Sequence, residues 1–551
     1  MTLITTYQRK DLSRDLLAAV VLATMLVPQG MAYAELTGLP PVTGLYTTIA
    51  ALLAYSVFGP NRVLILGPDS SLAPIIAVVV LPLAAGDPMT AVVLASALSL
   101  IAGVMCIGAG FARLGVITEL LSKPVRVGYL NGIAVIVFVS QLPKALGFSV
   151  EADSTLSTFV ATVESLLDSQ VVIQALVISV VSLAIIQGMR LQRRGSPGIL
   201  VATAFSIGLV VIFDLSVSTV GNLPAGLPSL TFPFFDLGLL GPLTAGALAV
   251  ALVSFADTGA LSTATALKSG ERVDPNSEIK ALGAANLLSG LFQGFPTSAS
   301  SSRTAVAMSV GSRTQLTGLI AAFGVISLLL WAPNLLANLP SATLAAIVIS
   351  ASFALFDGST VVWLWKVRRS EFLMSMGAFL GVVLVGILEG IVIAIALSLA
   401  NFVRRQWHPL STELARVKGT KGYHDRERHP EGWTIPGLLI IRFDAPLFFA
   451  NAPTFGRRLQ DFISNAGRPI DRILIVGDAM TDIDTTGAEV LAHTFDDLDR
   501  RGLDLAFAGL KGPVKDRLRD YGLYDRVGDR NFFPTIGSAV KYHYKTRSEE
   551  E

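Results

Sequence analysis

The chain has 551 residues, of which 52% are hydrophobic and only 15% are charged, and its formal net charge at pH 7 is +1. This composition excludes a soluble globular protein and predicts a polytopic α-helical membrane protein. The small net charge argues against a nucleic-acid partner, and a single cysteine, Cys106, excludes an intrachain disulfide or a cysteine-based metal site. The sequence contains no phosphate-binding loop, zinc motif or nucleophile elbow, so we expect no enzyme activity and no cofactor.

Apolar stretches recur along residues 1–405 and predict a transmembrane domain of about fourteen segments. No cleavage site closes a short apolar region near the N-terminus, so we interpret the first stretch as a spanning helix and not as a signal peptide. In chain order the stretches lie at 15–36, 41–58, 71–85, 89–108, 116–142, 170–188, 196–213, 242–266, 279–293, 302–312, 314–332, 341–356, 371–387 and 388–403.

Lysine and arginine residues are distributed unevenly among the connections between these segments. If the N-terminus is cytoplasmic, alternate connections on the cytoplasmic side carry basic residues, whereas the outer connections 214–241 and 333–340 contain none. This positive-inside pattern predicts a multi-pass protein of the cell (inner) membrane with both termini in the cytoplasm.

The composition changes after about residue 405. Residues 406–436 are polar and predict a linker, and residues 437–545 predict a small cytoplasmic α/β domain because apolar strands alternate there with helical stretches. The predicted strands lie at 437–443, 472–478 and 503–509, and the predicted helices lie near 453–466, 487–501 and 511–521.

Two of the apolar segments are too short to cross a membrane. The third, at residues 72–85, and the tenth, at residues 302–311, give helices of roughly 21 and 15 Å, against a hydrocarbon core of about 30 Å. Each follows a hydroxyl-rich turn, at 67–71 and 297–302. If the fourteen segments form two halves of seven, the two short segments occupy equivalent positions, a pattern typical of a transporter site.

The starts of these half-helices predict an anion site. The first N–H groups of a helix are unpaired and carry partial positive charge, so two such ends that face each other attract an anion. Serine and threonine hydroxyls add neutral donors, and Arg303 adds a full positive charge. The alternative is that these hydroxyls only satisfy backbone groups or allow close helix packing.

Three carboxylates inside or beside the segments are candidates for coupling to a cation: Glu35, Asp69 and Asp257. All five histidines follow the last apolar stretch, so proton transfer within the membrane would depend on carboxylates. Alternatives are an internal ion pair between Asp257 and Arg303 and a position of Glu35 near the outer interface. We interpret Glu278 as part of a solvated cytoplasmic helix end.

Pro28 interrupts the first segment and frees a backbone carbonyl. Gln29 and Tyr33 lie beside this interruption, so we include both as candidate substrate-binding residues. The alternative is a kink that serves packing alone.

Several stretches resemble the sulfate permease (SulP) family, which includes the animal anion exchangers and prestin. They are VPQGMAYAELTGLPPVTGLY (27–46), GPDSSLAPI (67–75) and GFPTSASSSRTAVAMSVGSRTQLTGL (294–319). APLFFANAPTF (445–455) and DIDTTGAEVL (482–491) resemble the STAS domain of that family. The resemblance extends over essentially the whole chain.

The resemblance implies seven-plus-seven inverted repeats, with a core of segments 1–4 and 8–11 and a gate of segments 5–7 and 12–14. It implies a homodimer and an elevator-like movement of core against gate. It also implies that the anion lies between the ends of segments three and ten. The residues that it places at the anion are Ser70, Ser71, Ser301, Ser302 and Arg303.

The resemblance also bears on coupling and regulation. Asp257 matches a position that is acidic in ion-coupled bacterial members, which implies symport with H⁺ or Na⁺. Leu261 stands where a sodium-coupled member has threonine, which favours H⁺. In the STAS domain, Thr485 and Thr486 match a site that is phosphorylated in anti-sigma factor antagonists, and the alternative for either hydroxyl is a helix cap.

We therefore expect a secondary active transporter of a small inorganic anion, with sulfate as the favoured substrate and H⁺ as the coupling ion. The same kind of site suits bicarbonate or a dicarboxylate such as fumarate, carried with H⁺ or Na⁺. A function of a different class is a membrane-anchored sensor that signals through the STAS domain.

Overall fold

The computed structural model describes residues 11–115, 122–150, 154–168, 170–192, 197–224, 226–269 and 272–550. The chain divides into two compact units, residues 1–398 and 399–551.

The first unit is helical, and eight helical stretches in the described ranges are long and apolar enough to cross a membrane. Its helices are α1 (Leu12–Leu36), α2 (Pro41–Phe58), α3 (Ala73–Ala84), α4 (Pro88–Phe111), α5 (Lys123–Leu146), α6 (Thr155–Leu167), α7 (Ile173–Gln192), α8 (Gly198–Phe213), α9 (Leu240–Ser269), α10 (Pro275–Leu291), α11 (Ser301–Val310), α12 (Leu316–Trp331), α13 (Ser341–Leu355), α14 (Gly358–Val367) and α15 (Arg369–Leu380). Helix α16 (Ile387–Trp407) begins in the first unit and ends in the second.

The helices follow the predicted segments closely, with three differences. Helix α6 lies in a stretch that we predicted to be an outer connection, and Ser154 caps it through the backbone N–H of Ser157. Helix α14 is a further short helix, capped by Asp357. The thirteenth segment is not one regular helix, since α15 passes into a π-helical turn, Gly381–Val385, which ends at Gly386 with φ +148°.

The membrane helices pack in two groups. Helices α1–α4 and α9–α12 form the first helix group, and α5, α7, α8, α13, α15 and α16 form the second helix group. Glycines allow close approach within the first group: a Cβ added to Gly44 on α2 would clash with the carbonyl oxygen of Gly30 on α1. Gly103 on α4 and Gly283 on α10 meet in the same way.

A short antiparallel pair of strands joins the two halves of the first unit. Strand β1 (Leu66–Gly67) pairs with β2 (Ser298–Ala299), with Leu66 opposite Ala299 and Gly67 opposite Ser298. The pairing extends by one bond, from the Ser300 N–H to the carbonyl of Ile65. Because α3 follows β1 and α11 follows β2, this pairing brings the N-terminal ends of the two half-helices together.

In the described part of the second unit, six strands form one sheet in the order β4-β3-β5-β6-β7-β8. Strands β5 to β8 are parallel, and β3 is antiparallel to β5. The elements are β3 (Ser411–Ala415), β4 (His424–Asp425), β5 (Gly437–Phe443), α17 (Ala452–Ser464), β6 (Ile470–Val476), α18 (Thr485–Arg500), β7 (Asp504–Ala508), α19 (Gly512–Asp520), α20 (Tyr524–Val527), β8 (Phe532–Phe533) and α21 (Ile536–Glu550).

The predicted strands and helices of this domain are present, but the predicted linker at 406–436 is not a simple linker. Helix α16 continues to Trp407, and β3 and β4 belong to the sheet. Strand β3 has polar residues at Thr412 and Glu413, both buried, so its sequence lacks the apolar run that identified the other strands.

Candidate functional site

The β1–β2 pair places Asp69, Ser70 and Ser71 opposite the start of α11. Ser71 is 1% exposed and Ser70 8%, whereas Ser301 and Ser302 in the first turn of α11 are exposed. The sequence-predicted hydroxyls therefore come from two strand–helix junctions that are more than 200 residues apart in sequence. The structure brings these junctions together.

Arg303 is a charged residue that is buried at this junction. Its side chain is only 1% exposed, and its Nη2 lies 3.7 Å from Asp69 Oδ1. Among the described residues, none accepts a hydrogen bond from its Nε, Nη1 or Nη2 atoms. A Cβ added to Gly67 would lie 3.0 Å from Nη1, so a larger residue there would press on the guanidinium. A buried guanidinium with unmet donors is a strong site for an oxyanion.

Two carboxylates share one hydroxyl beside this arginine. The Ser71 Oγ lies 2.8 Å from Asp69 Oδ2 and 3.1 Å from Asp257 Oδ2, and the Ser71 N–H also donates to Asp69. Arg303 forms its ion pair with Asp69, so the alternative pairing of Asp257 with Arg303 is not the one adopted. Asp257 comes from α9, which thus meets the start of α3 at Ser71.

Residues of α1 and α5 complete the surroundings. Tyr33 is 4% exposed and lies within hydrogen-bonding reach of Ser70. Gln29 is 5% exposed, and its Oε1 has no hydrogen-bond donor among the described residues. Tyr129 on α5 is buried near Asp257, and its hydroxyl is likewise without a partner in the described ranges. Sequence reasoning missed Tyr129, since an aromatic residue in an apolar segment carries no signal for a site.

Glu35, the third predicted coupling carboxylate, has other partners. Its Oε2 lies 3.9 Å from Lys144 Nζ on α5, and the Ser341 hydroxyl on α13 donates to its Oε1 at 3.4 Å. Lys144 also donates to the backbone carbonyl of Glu35. These contacts join the end of α1 to two helices of the second helix group, and none of them involves Asp69 or Asp257.

The chain is similar to known proteins over most of its length. A sulfate permease family model matches residues 12–378, and a STAS domain model matches residues 430–539. The chain belongs to the sulfate permease family. The predicted family and the predicted C-terminal STAS domain are both confirmed.

Three similar proteins illustrate the match. A probable sulfate transporter of Mycobacterium tuberculosis is 37% identical over 538 residues, covering 97% of this chain and 96% of the relative. The structure of the murine solute carrier 26 family member A9 anion transporter in the inward-facing state has a TM-score of 0.89 at 20% identity, covering 98% and 93% of the two chains. The transmembrane domain of a cyanobacterial bicarbonate transporter has a TM-score of 0.61 at 24% identity, covering 71% and 98%.

These likenesses support the predicted fold of seven-plus-seven membrane segments followed by a STAS domain. The sulfate permease family consists of transporters, which confirms the prediction that this multi-pass membrane protein is not an enzyme. Among the described residues, no group of three or more His, Cys, Asp or Glu side chains is placed to hold a metal ion.

One buried acidic residue of this permease was assigned wrongly from sequence. Glu278 was expected at a solvated helix end, but it is fully buried. Its Oε1 accepts a hydrogen bond from the Tyr55 hydroxyl and its Oε2 accepts one from the Ser262 hydroxyl, both at 2.6 Å. A signal was available in the helical spacing, because the apolar residues Leu282 and Ala285 stand four and seven residues after Glu278, on the same helix face.

In the STAS domain, the N-cap of α18 is Asp484, a residue that we did not select. Asp484 precedes α18, and its Oδ1 accepts a hydrogen bond from the Gly487 N–H at 2.7 Å, while its Oδ2 accepts one from the Phe449 N–H at 2.8 Å. The interpretation of Thr485 or Thr486 as the cap was therefore wrong. Thr485 is exposed in the first turn of the helix.

Proposed function

We propose that this protein is a secondary active transporter of a small inorganic anion, with sulfate as the favoured substrate. The observation that carries the proposal is Arg303, a buried guanidinium with unmet donors at the meeting point of two half-helix ends. The 37% identity to a probable sulfate transporter supports sulfate as the first anion to test.

The unmet donors of Arg303 and the charges of the two helix ends favour an anion over a neutral solute. The Asp69 carboxylate at 3.7 Å compensates part of the charge of Arg303 but is too far away to accept a hydrogen bond, so the buried guanidinium keeps unmet donors. A bound tetrahedral oxyanion supplies acceptors to Arg303 and to the exposed hydroxyls of Ser301 and Ser302. The partial positive charges at the starts of α3 and α11 add to this attraction. Gln29 and Tyr33 line the same region from α1.

For coupling, we propose that a proton binds the pair of carboxylates formed by Asp69 and Asp257. Two carboxylates that share the Ser71 hydroxyl repel each other, and one proton relieves that repulsion. Proton binding next to the anion also reduces the charge that must cross the membrane. Leu261, one turn after Asp257, has no side-chain oxygen to offer Na⁺, which supports H⁺ as the coupling ion.

The transport step would be an elevator-like movement of the first helix group as the core against the second helix group as the gate. Close glycine contacts such as Gly30–Gly44 favour movement of the first group as a rigid body. A homodimer with cytoplasmic termini completes the proposal, in line with the positive-inside pattern of the sequence.

The test is uptake of labelled sulfate into proteoliposomes under an inward proton gradient. The variants are Arg303→Ala and Asp257→Asn, and their matched controls are Arg190→Ala and Asp168→Asn, which change exposed residues at helix ends. We expect Arg303→Ala to abolish uptake, Asp257→Asn to abolish the response to the gradient, and both controls to resemble the wild type.

The other outcomes discriminate among the alternatives. Uptake of bicarbonate or fumarate without uptake of sulfate would reject sulfate and retain the anion site. Uptake that follows an inward Na⁺ gradient and not a proton gradient would reject H⁺ coupling. Binding of an anion with no flux under any gradient would reject transport in favour of a sensor that signals through the STAS domain, for which phosphorylation of Thr485 or Thr486 is the readout.

A further inference from the structure

A basic pocket lies where helix α16 ends, and all of its residues belong to the second unit. Helix α16 is long and apolar enough to cross a membrane, so its last turn lies at a membrane surface. That turn carries Arg404 and Arg405 and ends at Trp407, which is 47% exposed. Exposed Phe402 lies one turn earlier. Aromatic residues beside basic ones at a helix end are typical of the level of lipid headgroups.

A hydrogen bond joins the start of α17 to this helix end. Asn451 is fully buried, and its Nδ2 donates hydrogen bonds to the carbonyl of Gln406 at 3.4 Å and to the carbonyl of Pro446 at 2.9 Å. The first turns of α17 therefore lie beside the last turn of α16 within the same compact unit.

Between these elements is a cavity of about 480 Å³, a volume suited to a small polar group. Thr454, Arg457, Arg458 and Asp461 share one face of α17 because they are spaced three or four residues apart. The lining residues are His408, Thr454, Gly456, Arg457, Arg458, Gln460 and Asp461.

The charges of this pocket favour a phosphate. In the pocket lining, Arg457 and Arg458 are exposed on α17 against the single carboxylate of Asp461, and Arg404 is exposed on the adjoining turn of α16. Guanidinium groups bind phosphate oxygens through paired hydrogen bonds. Clusters of basic residues immediately beyond a membrane helix attract anionic lipid headgroups.

We propose that this pocket binds the phosphate group of an anionic phospholipid. The same chemistry suits a free organic phosphate, but the exposed side chains of Phe402 and Trp407 on the neighbouring turn provide an apolar surface that only a lipid would use. The lipid would fasten the start of the STAS domain to the membrane surface at the end of α16. The proposal is independent of which anion is transported.

The test measures lipid retention by the full-length protein in detergent, by native mass spectrometry. The probes are phosphatidylglycerol and phosphatidylcholine with identical acyl chains, and glycerol 3-phosphate as the soluble phosphate. The variant is Arg457→Gln with Arg458→Gln. The matched control is Arg517→Gln with Arg519→Gln, which removes the same charge from an exposed face of α19.

We expect the wild type and the control to retain phosphatidylglycerol about tenfold more strongly than phosphatidylcholine. The Arg457/Arg458 variant should lose this preference. Equal retention of both lipids by the wild type, or an unchanged preference in the variant, would overturn the proposal. Displacement of phosphatidylglycerol by an equal concentration of glycerol 3-phosphate would also overturn it, because the ligand would then be a soluble phosphate.

Discussion

The hydroxyl of Tyr55 on α2 donates a 2.6 Å hydrogen bond to the buried carboxylate of Glu278 on α10. The second carboxylate oxygen accepts a hydrogen bond from Ser262 on α9, so a single acidic side chain ties three helices of the first helix group together. Neither of these two hydrogen bonds involves Asp69, Ser71 or Asp257.

Replacing Tyr55 with Phe should destabilise the first helix group without removing any residue of the proposed anion site. The change leaves one oxygen of Glu278 buried without its donor, which costs about 1–3 kcal/mol. Thermal unfolding in detergent should show a lower midpoint than in the wild type. Glu164→Gln, on the exposed face of α6, is the control and should leave the midpoint unchanged. A midpoint unaffected by Tyr55→Phe would mean that water replaces the hydroxyl.

Removing the hydroxyl shared by Asp69 and Asp257 should separate coupling from anion binding. In Ser71→Ala the two carboxylates lose their bridge, so we expect a smaller stimulation of uptake by the proton gradient and a shift in its pH optimum. Ser71→Thr keeps a hydroxyl and should retain much of the stimulation. Uptake measured over a series of external pH values tests this, and equal pH profiles for Ser71→Ala and wild type would contradict it.

A methyl group at Gly44 should disrupt the packing of α1 against α2. The new Cβ would overlap the carbonyl oxygen of Gly30, and overpacking of this kind costs about 1–3 kcal/mol or more. Gly108→Ala is the matched control, since a Cβ there has no neighbour within 4 Å and alanine favours a helix by about 0.5–1 kcal/mol. The thermal midpoint should therefore fall in Gly44→Ala and stay equal or rise in Gly108→Ala.

Loss of the Asp484 carboxylate should loosen the start of α18. Asp484→Ala leaves the N–H groups of Gly487 and Phe449 without their acceptor, at a cost of about 1–2 kcal/mol. Hydrogen–deuterium exchange of the full-length protein should become faster in the peptides that contain these two residues. Thr485→Ala should leave exchange there unchanged. Faster exchange in that variant would indicate that Thr485, and not Asp484, is the cap.

The acid stability of the STAS domain should depend on Thr412. The Thr412 hydroxyl donates a 2.7 Å hydrogen bond to Asp425 and thereby lowers the pKa of that carboxyl. A carboxylate with a lowered folded-state pKa stabilises the protein above the ordinary pKa, and this contribution is lost as the pH falls through the folded-state pKa. Thr412→Val should therefore move acid unfolding to a higher pH, as followed by tryptophan fluorescence. Identical acid transitions in both proteins would refute this.

The sequence by itself determined the class of the protein, the two half-helices and the alternation of strands and helices after residue 437. Hydropathy, segment length and hydrophobic period depend only on neighbouring residues. The thickness of the membrane then sets the length that a spanning helix needs. The same local signals failed at β3, where Thr412 and Glu413 are buried in a strand with no apolar run. They also failed at Thr485, because the choice of cap depended on Asp484 and its contact with Phe449.

Only the tertiary structure decided which charges meet. Arg303 is paired with Asp69 and not with Asp257, Glu35 is paired with Lys144, and Glu278 is buried against Tyr55. Each of these contacts joins residues more than 100 positions apart in sequence. The energy of a buried charge depends on its nearest partners and on the exclusion of water, and both are set by how distant helices pack. The β1–β2 pairing is the contact that brings the predicted parts of the anion site together.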